Sequence, residues 1–274
     1  MIEAGYGRER PELTGLANVG GADVGPEGAT GALGPMEQFE INRYLKLDLF
    51  GLDASFTNSA LFMVIAVAVI IGFLHYAMGG RSMVPTRTQS VAELAYEFIA
   101  NMVYDNTGKD GMKYFPFVFT IFVFVLVLNM LGMIPYSFTV TSHIVVTFAL
   151  AALVFIVVTA IGFARHGVGF LKLFKPDGLP LPLVPIIVPI EIISFLIRPI
   201  SLSVRLFANM MAGHTLLKVF AGFIVSLGVF GVVPLVATVA FTGLEFLVAF
   251  LQAMIFSVLT CIYLNDAINM HDHH

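Results

Sequence analysis

Charged residues are scarce in this sequence. They make up 12% of its 274 residues, whereas soluble domains carry about 25%, and 58% of the residues are hydrophobic. The charge that is present is uneven, because half of the 18 acidic residues precede the first long apolar run. Low charge combined with several apolar runs of about 20 residues excludes an ordinary soluble domain. The sequence therefore predicts an all-α integral membrane protein.

Other absences concern chemistry. The single cysteine, Cys261, lies in an apolar helical pattern, so the chain has no internal disulfide and a buried structural thiol is expected. The sequence lacks His-Glu-x-x-His, Gly-x-Ser-x-Gly, paired aspartates in its apolar runs and a nucleotide-binding loop. These absences argue against an intramembrane enzyme, and no cofactor or nucleic-acid partner is expected. Three histidines near the C-terminus, in 269–274, favour a solvated tail over a metal site.

Hydropathy and residue spacing divide the chain into segments. We expect a flexible N-terminal tail at 1–36, an amphipathic outer-surface segment at 37–56 interpreted as a short helix, a membrane domain at 57–269, and a C-terminal tail at 270–274. Within the membrane domain, the pattern predicts spans at 57–78, 114–133 and 143–163, an interfacial amphipathic helix at 88–106, and two long helices at 181–227 and 234–269. The fold class is thus about five membrane helices plus one interfacial helix.

The two long helices do not fit upright in a bilayer. The first would be roughly 68 Å long, whereas the hydrocarbon core is about 30 Å thick. It must therefore lie steeply tilted, bend at its prolines, or both. We expect the two to form a tilted hairpin with its turn at 228–231. Basic residues in the 79–88 and 165–180 loops put those loops in the cytoplasm, the N-terminus outside and the C-terminus in the cytoplasm.

Arg205 lies deep inside the first long apolar segment. Arginine at the centre of a bilayer costs roughly 2.5 to 3.5 kcal/mol, and it keeps its proton at any attainable pH. On an ideal helix, five polar residues fall with Arg205 in a sector of roughly 100°. This polar stripe consists of Glu191, Ser194, Arg198, Ser201, Arg205 and Asn209. The second long helix carries Thr238, Glu245, Gln252 and Asp266 at multiples of seven residues.

Structural roles compete with functional ones on these helices. A serine in a membrane helix usually bonds to a neighbouring helix, and Arg198 has room to extend toward the surface. Arg205 would be purely structural if it formed a buried ion pair with Glu191 or Glu245. His214 lies about 180° from Arg205, and both His214 and Glu245 are able to gain and lose protons. A permanent cation flanked by titratable groups indicates a proton path that the cation interrupts.

Three sequence motifs carry a resemblance to a known family. They are Ser-Leu-Ser-Val-Arg-Leu-Phe-Ala-Asn-Met-Met-Ala-Gly-His at 201–214, Phe-Leu-Gln-Ala-Met-Ile-Phe at 250–256, and Asn-Met-Leu-Gly-Met-Ile-Pro at 129–135. At these residues the chain resembles the a subunits of F-type ATP synthases, and the resemblance covers roughly 40–267. It implies a stator subunit in a bacterial inner membrane, non-catalytic with respect to ATP, which conducts protons; the proton is favoured over other coupling ions.

The resemblance also implies roles for individual residues and partners. Arg205 would face the essential carboxylate of a rotating c-ring and block leakage between two half-channels. Asn209 and Gln252 match positions close to that arginine. Three further residues, Glu191, Ser194 and Ser201, match the cytoplasmic-side path, and Arg198 and Asn129 are supporting. The implied partners are the c-ring, b-type peripheral-stalk subunits, the lipid bilayer and, indirectly, a soluble ATPase sector.

One departure from the family pattern concerns the titratable pair. Many bacterial relatives have a glutamate after the glycine of the arginine motif and a histidine two turns before the glutamine. Here His214 and Glu245 occupy these places in exchange, which preserves the pair only if the side chains approach each other across the hairpin. The alternative function is a stand-alone secondary transporter or ion channel. Such folds usually contain repeated halves, and the sequence has no second copy of the arginine stretch.

Overall fold

The computed structural model describes residues 43–45, 48–49, 52–53, 56–79, 86–134, 137–174 and 183–269. These residues include helices α1 (Asn58–Met78), α2 (Arg87–Gly111), α3 (Phe115–Gly132), α4 (Ile144–His166), α5 (Val184–Ser226) and α6 (Val232–Ile268). Five stretches of the described chain are long and apolar enough to cross a membrane, with α2 and α3 counted as one. The predicted all-α membrane fold is confirmed.

The described pieces of the 37–56 segment are short strands rather than the helix that we expected. Strand β1 (Arg43–Leu45) pairs antiparallel with β4 (Phe56–Thr57), and β2 (Asp48–Leu49) pairs with β3 (Leu52–Asp53). The predicted tails at 1–36 and 270–274 lie outside the described residues.

Helix α2 is amphipathic and separate from the apolar helix that follows it. It buries Ile99, Met102 and Val103, while Glu93 and Glu97 are exposed. It extends beyond the predicted end at residue 106 and includes Gly108, whose positive φ of 67° interrupts the regular helical geometry. Its position at the membrane interface remains a prediction.

An exposed ion pair ties the end of α2 to the end of α4. Arg165 donates a hydrogen bond to the Asp110 carboxylate, and this contact lowers the pKa of Asp110 from its ordinary value. Next to it, the His166 ring lies 3.1 Å from the backbone carbonyl of Ile268 at the end of α6. The ends of α2, α4 and α6 therefore meet on one side of the described fold.

The hairpin of α5 and α6 is the longest element of the structure. Helix α5 runs for 43 residues and continues through Pro189 and Pro199, although each proline removes one backbone donor. A 3-10 turn at Gly228–Gly231 joins it to α6. At about 1.5 Å per residue, α5 is roughly 65 Å long. Both prolines lie inside one continuous helix. A helix of this length is expected to tilt in a membrane, and the tilt remains a prediction.

Helix α6 lies at the centre of the packing. It contacts α2, α3, α4 and α5, and its buried residues recur every three or four positions. The common core includes Ile99, Val125, Val154, Leu202 and Phe256. Cys261 is fully buried in the same core. Because α6 packs against α2, α3 and α4, it holds α5 in place beside it.

Candidate functional site

Arg205 lies on an exposed part of α5. Its side chain is exposed, and no ion pair or hydrogen bond joins it to another described residue. Ser194 and Ser201 of the polar stripe are exposed as well, and Glu191 is half-buried. The structure therefore does not bring Arg205 into a pair with Glu191, and this part of the stripe forms one outward face of α5.

Arg198 differs from Arg205, although both lie on the stripe. Its guanidinium lies 3.0 Å from the Asp266 carboxylate of α6, and about a quarter of each side chain is exposed. The guanidinium carbon also lies 5.6 Å from the ring centre of Phe195 and 5.1 Å from that of Tyr263. The charge of Arg198 is thus compensated within the chain.

Asn209, one turn beyond Arg205, is linked to α6. Its Nδ2 donates to Oε1 of Gln252 at 2.9 Å. Gln252 is 2% exposed, and its Nε2 has no hydrogen-bond partner among the residues that the structure describes. The hydrogen bond therefore uses the glutamine oxygen and leaves the buried amide group free to donate.

His214 and Glu245 meet across the hairpin. Nδ1 of His214 lies 3.4 Å from Oε1 of Glu245, with 11% and 6% of the two side chains exposed. Neither carboxylate oxygen has a hydrogen bond within the described part of the chain. A buried carboxyl group without donors is costly in its charged form. This arrangement favours a pair that shares a proton.

Gly213 makes the approach of Glu245 to α5 possible. A Cβ atom at this position would lie 2.6 Å from Oε1 and 2.9 Å from Cδ of Glu245. Glycine inside a helix costs about 1 kcal/mol relative to alanine. Its presence in the middle of α5 is the sequence signal for this close approach, which the helical-wheel reasoning did not use.

Thr139 is a site residue that the sequence analysis missed. It precedes the 3-10 turn Val140–Ser142 before α4, and its hydroxyl oxygen lies 3.2 Å from Nε2 of His214. No signal in the sequence could have found it, because it follows no helical period and lies 75 positions from its partner.

A cavity of about 120 Å³ opens beside the His214–Glu245 pair. Its polar lining comes from Asn209 and Glu245, and Gly213 contributes backbone. The apolar lining consists of Leu216, Leu217, Phe241, Leu244 and Val248. The cavity is large enough to hold water next to these two polar side chains.

Asn129 lies apart from this constellation. It is fully buried in α3, and its Nδ2 donates to the backbone carbonyl of Ala249 in α6 at 3.2 Å. The contact holds α3 against α6 three residues from Gln252. Asn129 therefore supports the position of α6, and no contact to Arg205 is present in the described residues. The described residues contain no group of three or more His, Cys, Asp or Glu side chains that could hold a metal ion.

The site residues divide into two groups along the hairpin. We name residues 209–226 of α5 with 232–252 of α6 the turn half, and residues 184–208 with 253–268 the open half. The turn half brings Asn209 to Gln252 and His214 to Glu245. Among the stripe residues of the open half, Arg198 forms an ion pair with Asp266. The other four have no ion pair or side-chain hydrogen bond to a described residue: Glu191, Ser194, Ser201 and Arg205.

Comparisons with known proteins identify a family that this chain resembles over most of its length. The family model for the ATP synthase A chain matches residues 60–265. ATP synthase subunit a of Rhizobium rhizogenes is 59% identical over 249 residues, which cover 88% of this chain and all of the relative. The subunit a of a Chelativorans species is 60% identical over 245 residues, covering 87% and 98%. ATP synthase subunit a 1 of Brucella anthropi is 59% identical over 242 residues, covering 86% and 97%.

Proposed function

The chain belongs to the ATP synthase A chain family, and on that premise we propose that it is the stator in which Arg205 separates two offset half-channels. Family membership makes the chain a proton-translocating membrane subunit of an ATP synthase. The homologues are bacterial. The half-channels, the exchange of protons with a c-ring and the individual residue roles are the proposed part.

The observation that carries the proposal is the exposure of Arg205 on the open half. A permanent cation at membrane depth requires a compensating group, and the described chain supplies none to Arg205 while it supplies Asp266 to Arg198. A carboxylate on a partner fits this requirement. Such a carboxylate would pass the arginine in its ionised form, because the cation favours deprotonation. The c-ring of the complex is the proposed partner.

The two halves of the hairpin then serve opposite half-channels. In the turn half, Asn209 and Glu245 line the cavity. Together with their partners Gln252 and His214 they relay protons on the outer side. In the open half, the exposed serines and Glu191 line the cytoplasmic side. A proton cannot hop through a guanidinium that never releases its own proton. Each proton therefore has to travel on the partner's carboxylate.

Energy for directed transfer comes from the membrane potential. Moving one charge across 100 mV is worth about 2.3 kcal/mol, and direct leakage past Arg205 would dissipate it. We further propose contact with b-type peripheral-stalk subunits, an outside N-terminus, a cytoplasmic C-terminus and residence in the bacterial inner membrane. Nucleotide chemistry belongs to a soluble sector that reaches this chain only indirectly.

The decisive experiment replaces Arg205 in the whole complex. We expect Arg205→Ala to reduce ATP-driven proton pumping to background in reconstituted vesicles and to raise passive proton leak, because the fixed charge between the half-channels is gone. Pump-driven acidification and leak under an imposed potential are measured by a pH-sensitive dye. Pumping at the wild-type rate would contradict the proposal.

Arg198→Ala is the matched control. It removes an arginine from the same helix and the same stripe, but one whose charge Asp266 already compensates. We expect passive leak to stay at the wild-type level in this variant. The alternative function, a stand-alone transporter or channel, requires transport by the isolated chain without a ring of small helical hairpins. Transport by that isolated chain would reject the stator assignment.

A further inference from the structure

Three residues from separate elements form a chain of polar contacts that ends at Glu245. The Thr139 hydroxyl donates to the backbone carbonyl of Gly132 at 3.3 Å, and its oxygen lies 3.2 Å from Nε2 of His214. Nδ1 of the same ring lies 3.4 Å from Oε1 of Glu245. The contacts therefore run from the end of α3, through Thr139, to α5 and then to α6.

The single hydroxyl hydrogen of Thr139 limits which atoms act as donors and which as acceptors in these contacts. A carbonyl oxygen only accepts, and a threonine hydroxyl has one hydrogen. If that hydrogen is used on Gly132, the threonine oxygen can serve His214 only as an acceptor. Nε2 must then carry a hydrogen. In a neutral imidazole with Nε2–H, the other nitrogen, Nδ1, has a free lone pair.

We propose that Thr139 is a positioning residue that holds His214 in the Nε2–H tautomer, with the Nδ1 lone pair directed at Glu245. This inference rests on the proposed function of the His214–Glu245 pair and adds which ring nitrogen exchanges a proton with Glu245. The Oε1–H bond of protonated Glu245 breaks as the Nδ1–H bond forms, which leaves a carboxylate and an imidazolium. The reverse transfer restores the neutral pair, and no other reactant is needed.

Thr139 is itself held in place from two sides. The Gly132 carbonyl lies at the end of α3, where a helix leaves carbonyls without internal partners, so it is a natural acceptor for the hydroxyl. A Cβ atom on Gly132 would lie 2.8 Å from Cγ2 of Thr139. On the other side, Ser142 donates from its hydroxyl to the Thr139 carbonyl at 2.6 Å. These contacts leave the hydroxyl little freedom to turn away from His214.

The test reads the tautomer directly. Nitrogen-15 NMR of the complex, labelled at histidine and reconstituted in lipid, distinguishes protonated from unprotonated ring nitrogens, and a His214→Gln variant identifies the signal of His214. We expect Nε2–H with an unprotonated Nδ1 in the neutral ring of the wild type. Thr139→Val should raise the Nδ1–H fraction, and Thr139→Ser should keep the wild-type spectrum. An Nδ1–H wild type, or an unchanged Thr139→Val spectrum, would overturn the inference.

Thr141→Val is the matched control. It makes the same isosteric change two positions further along the chain, at a buried hydroxyl without a hydrogen-bond partner among the described residues. We expect its His214 spectrum and its pumping rate to be unchanged. Thr139→Val should lower ATP-driven pumping by about tenfold or more, because a general acid–base pair loses its alignment.

A second pair of variants tests the same geometry from α3. Gly132→Ala should displace Thr139 and raise the Nδ1–H fraction, and adding Thr139→Ser should reverse this effect because it removes the clashing Cγ2. Failure of the double variant to recover the spectrum would count against the inference, and so would a wild-type spectrum in Gly132→Ala. If His214→Gln pumps at the wild-type rate, the proposed function fails while the tautomer result stands independently.

Discussion

In the turn half of the α5–α6 hairpin, polar side chains of the two helices contact one another, whereas Ser194, Ser201 and Arg205 in the open half are exposed. His214 meets Glu245 and Thr139, and Asn209 meets Gln252. Arg205, by contrast, is exposed and has no ion pair with the described chain. The same helix therefore carries one set of groups that the chain satisfies by itself and another that it does not.

This difference separates the part of the chain that supplies its own polar partners from the part that needs a partner subunit. A proton relay works within one subunit when donors and acceptors lie within hydrogen-bond reach. In the turn half the polar atoms of the paired side chains lie 2.9 to 3.4 Å apart. The open half presents a cation and small hydroxyls to whatever packs against α5. We infer that changes in the turn half affect proton transfer within this chain, and that changes around Arg205 affect transfer to the partner.

The largest expected effect within the turn half comes from the His214–Glu245 pair. His214→Glu should reduce ATP-driven pumping by about tenfold or more, because two buried carboxyl groups then compete for one site and a general base is lost. Adding Glu245→His should restore part of the rate, because the two groups are again complementary at the same distance. The initial rate of dye quenching in reconstituted vesicles provides the measurement.

A control for this prediction comes from the neighbouring pair. The reciprocal exchange of Asn209 and Gln252 serves as the control. These two residues are joined by a hydrogen bond, but their side chains differ in length. The exchange therefore tests whether any reciprocal swap across the hairpin restores pumping. Equal pumping in the single and double variants would contradict a functional coupling between His214 and Glu245. It would also weaken the contrast between the two halves.

A smaller effect is expected at the internal ion pair of the open half. Asp266→Asn should lower the free energy of unfolding by about 1 to 3 kcal/mol, because Arg198 loses a charged partner in a mostly buried position. Thermal unfolding in detergent is followed by labelling of the buried Cys261 with a thiol-reactive dye. An unchanged transition would show that Arg198 is compensated by its aromatic neighbours alone.

The smallest expected effect concerns the exposed pair Asp110–Arg165. Because the folded-state pKa of Asp110 is lowered, its stabilising contribution is complete above the unfolded value of about 3.9 and is lost as the pH falls through the folded pKa. Asp110→Asn should therefore unfold at a slightly lower temperature than wild type at pH 7, and the difference should vanish in acid. Asp105→Asn, an exposed acid on the same helix, should show no difference at either pH.

Local pattern predicted the membrane helices because apolar length and helical period do not depend on distant residues. The predicted span at 57–78 and the observed α1 differ by one residue, and Cys261 is buried as expected. Around Arg43 the described residues form short strands instead of the expected helix, because so few residues fit either a strand or a helix. Thr139 was missed because its contact to His214 spans 75 positions.

The sequence alone determined the membrane class, the family and the presence of a permanent cation on a polar face of α5. These properties follow from composition, helical geometry and a specific motif. Only the tertiary structure decided that Arg198 is paired while Arg205 is not, that Gly213 admits Glu245, and that Thr139 reaches His214. The reason is physical: a helical wheel fixes the direction of a side chain around its own axis, and the neighbouring helix and turn decide what that side chain meets.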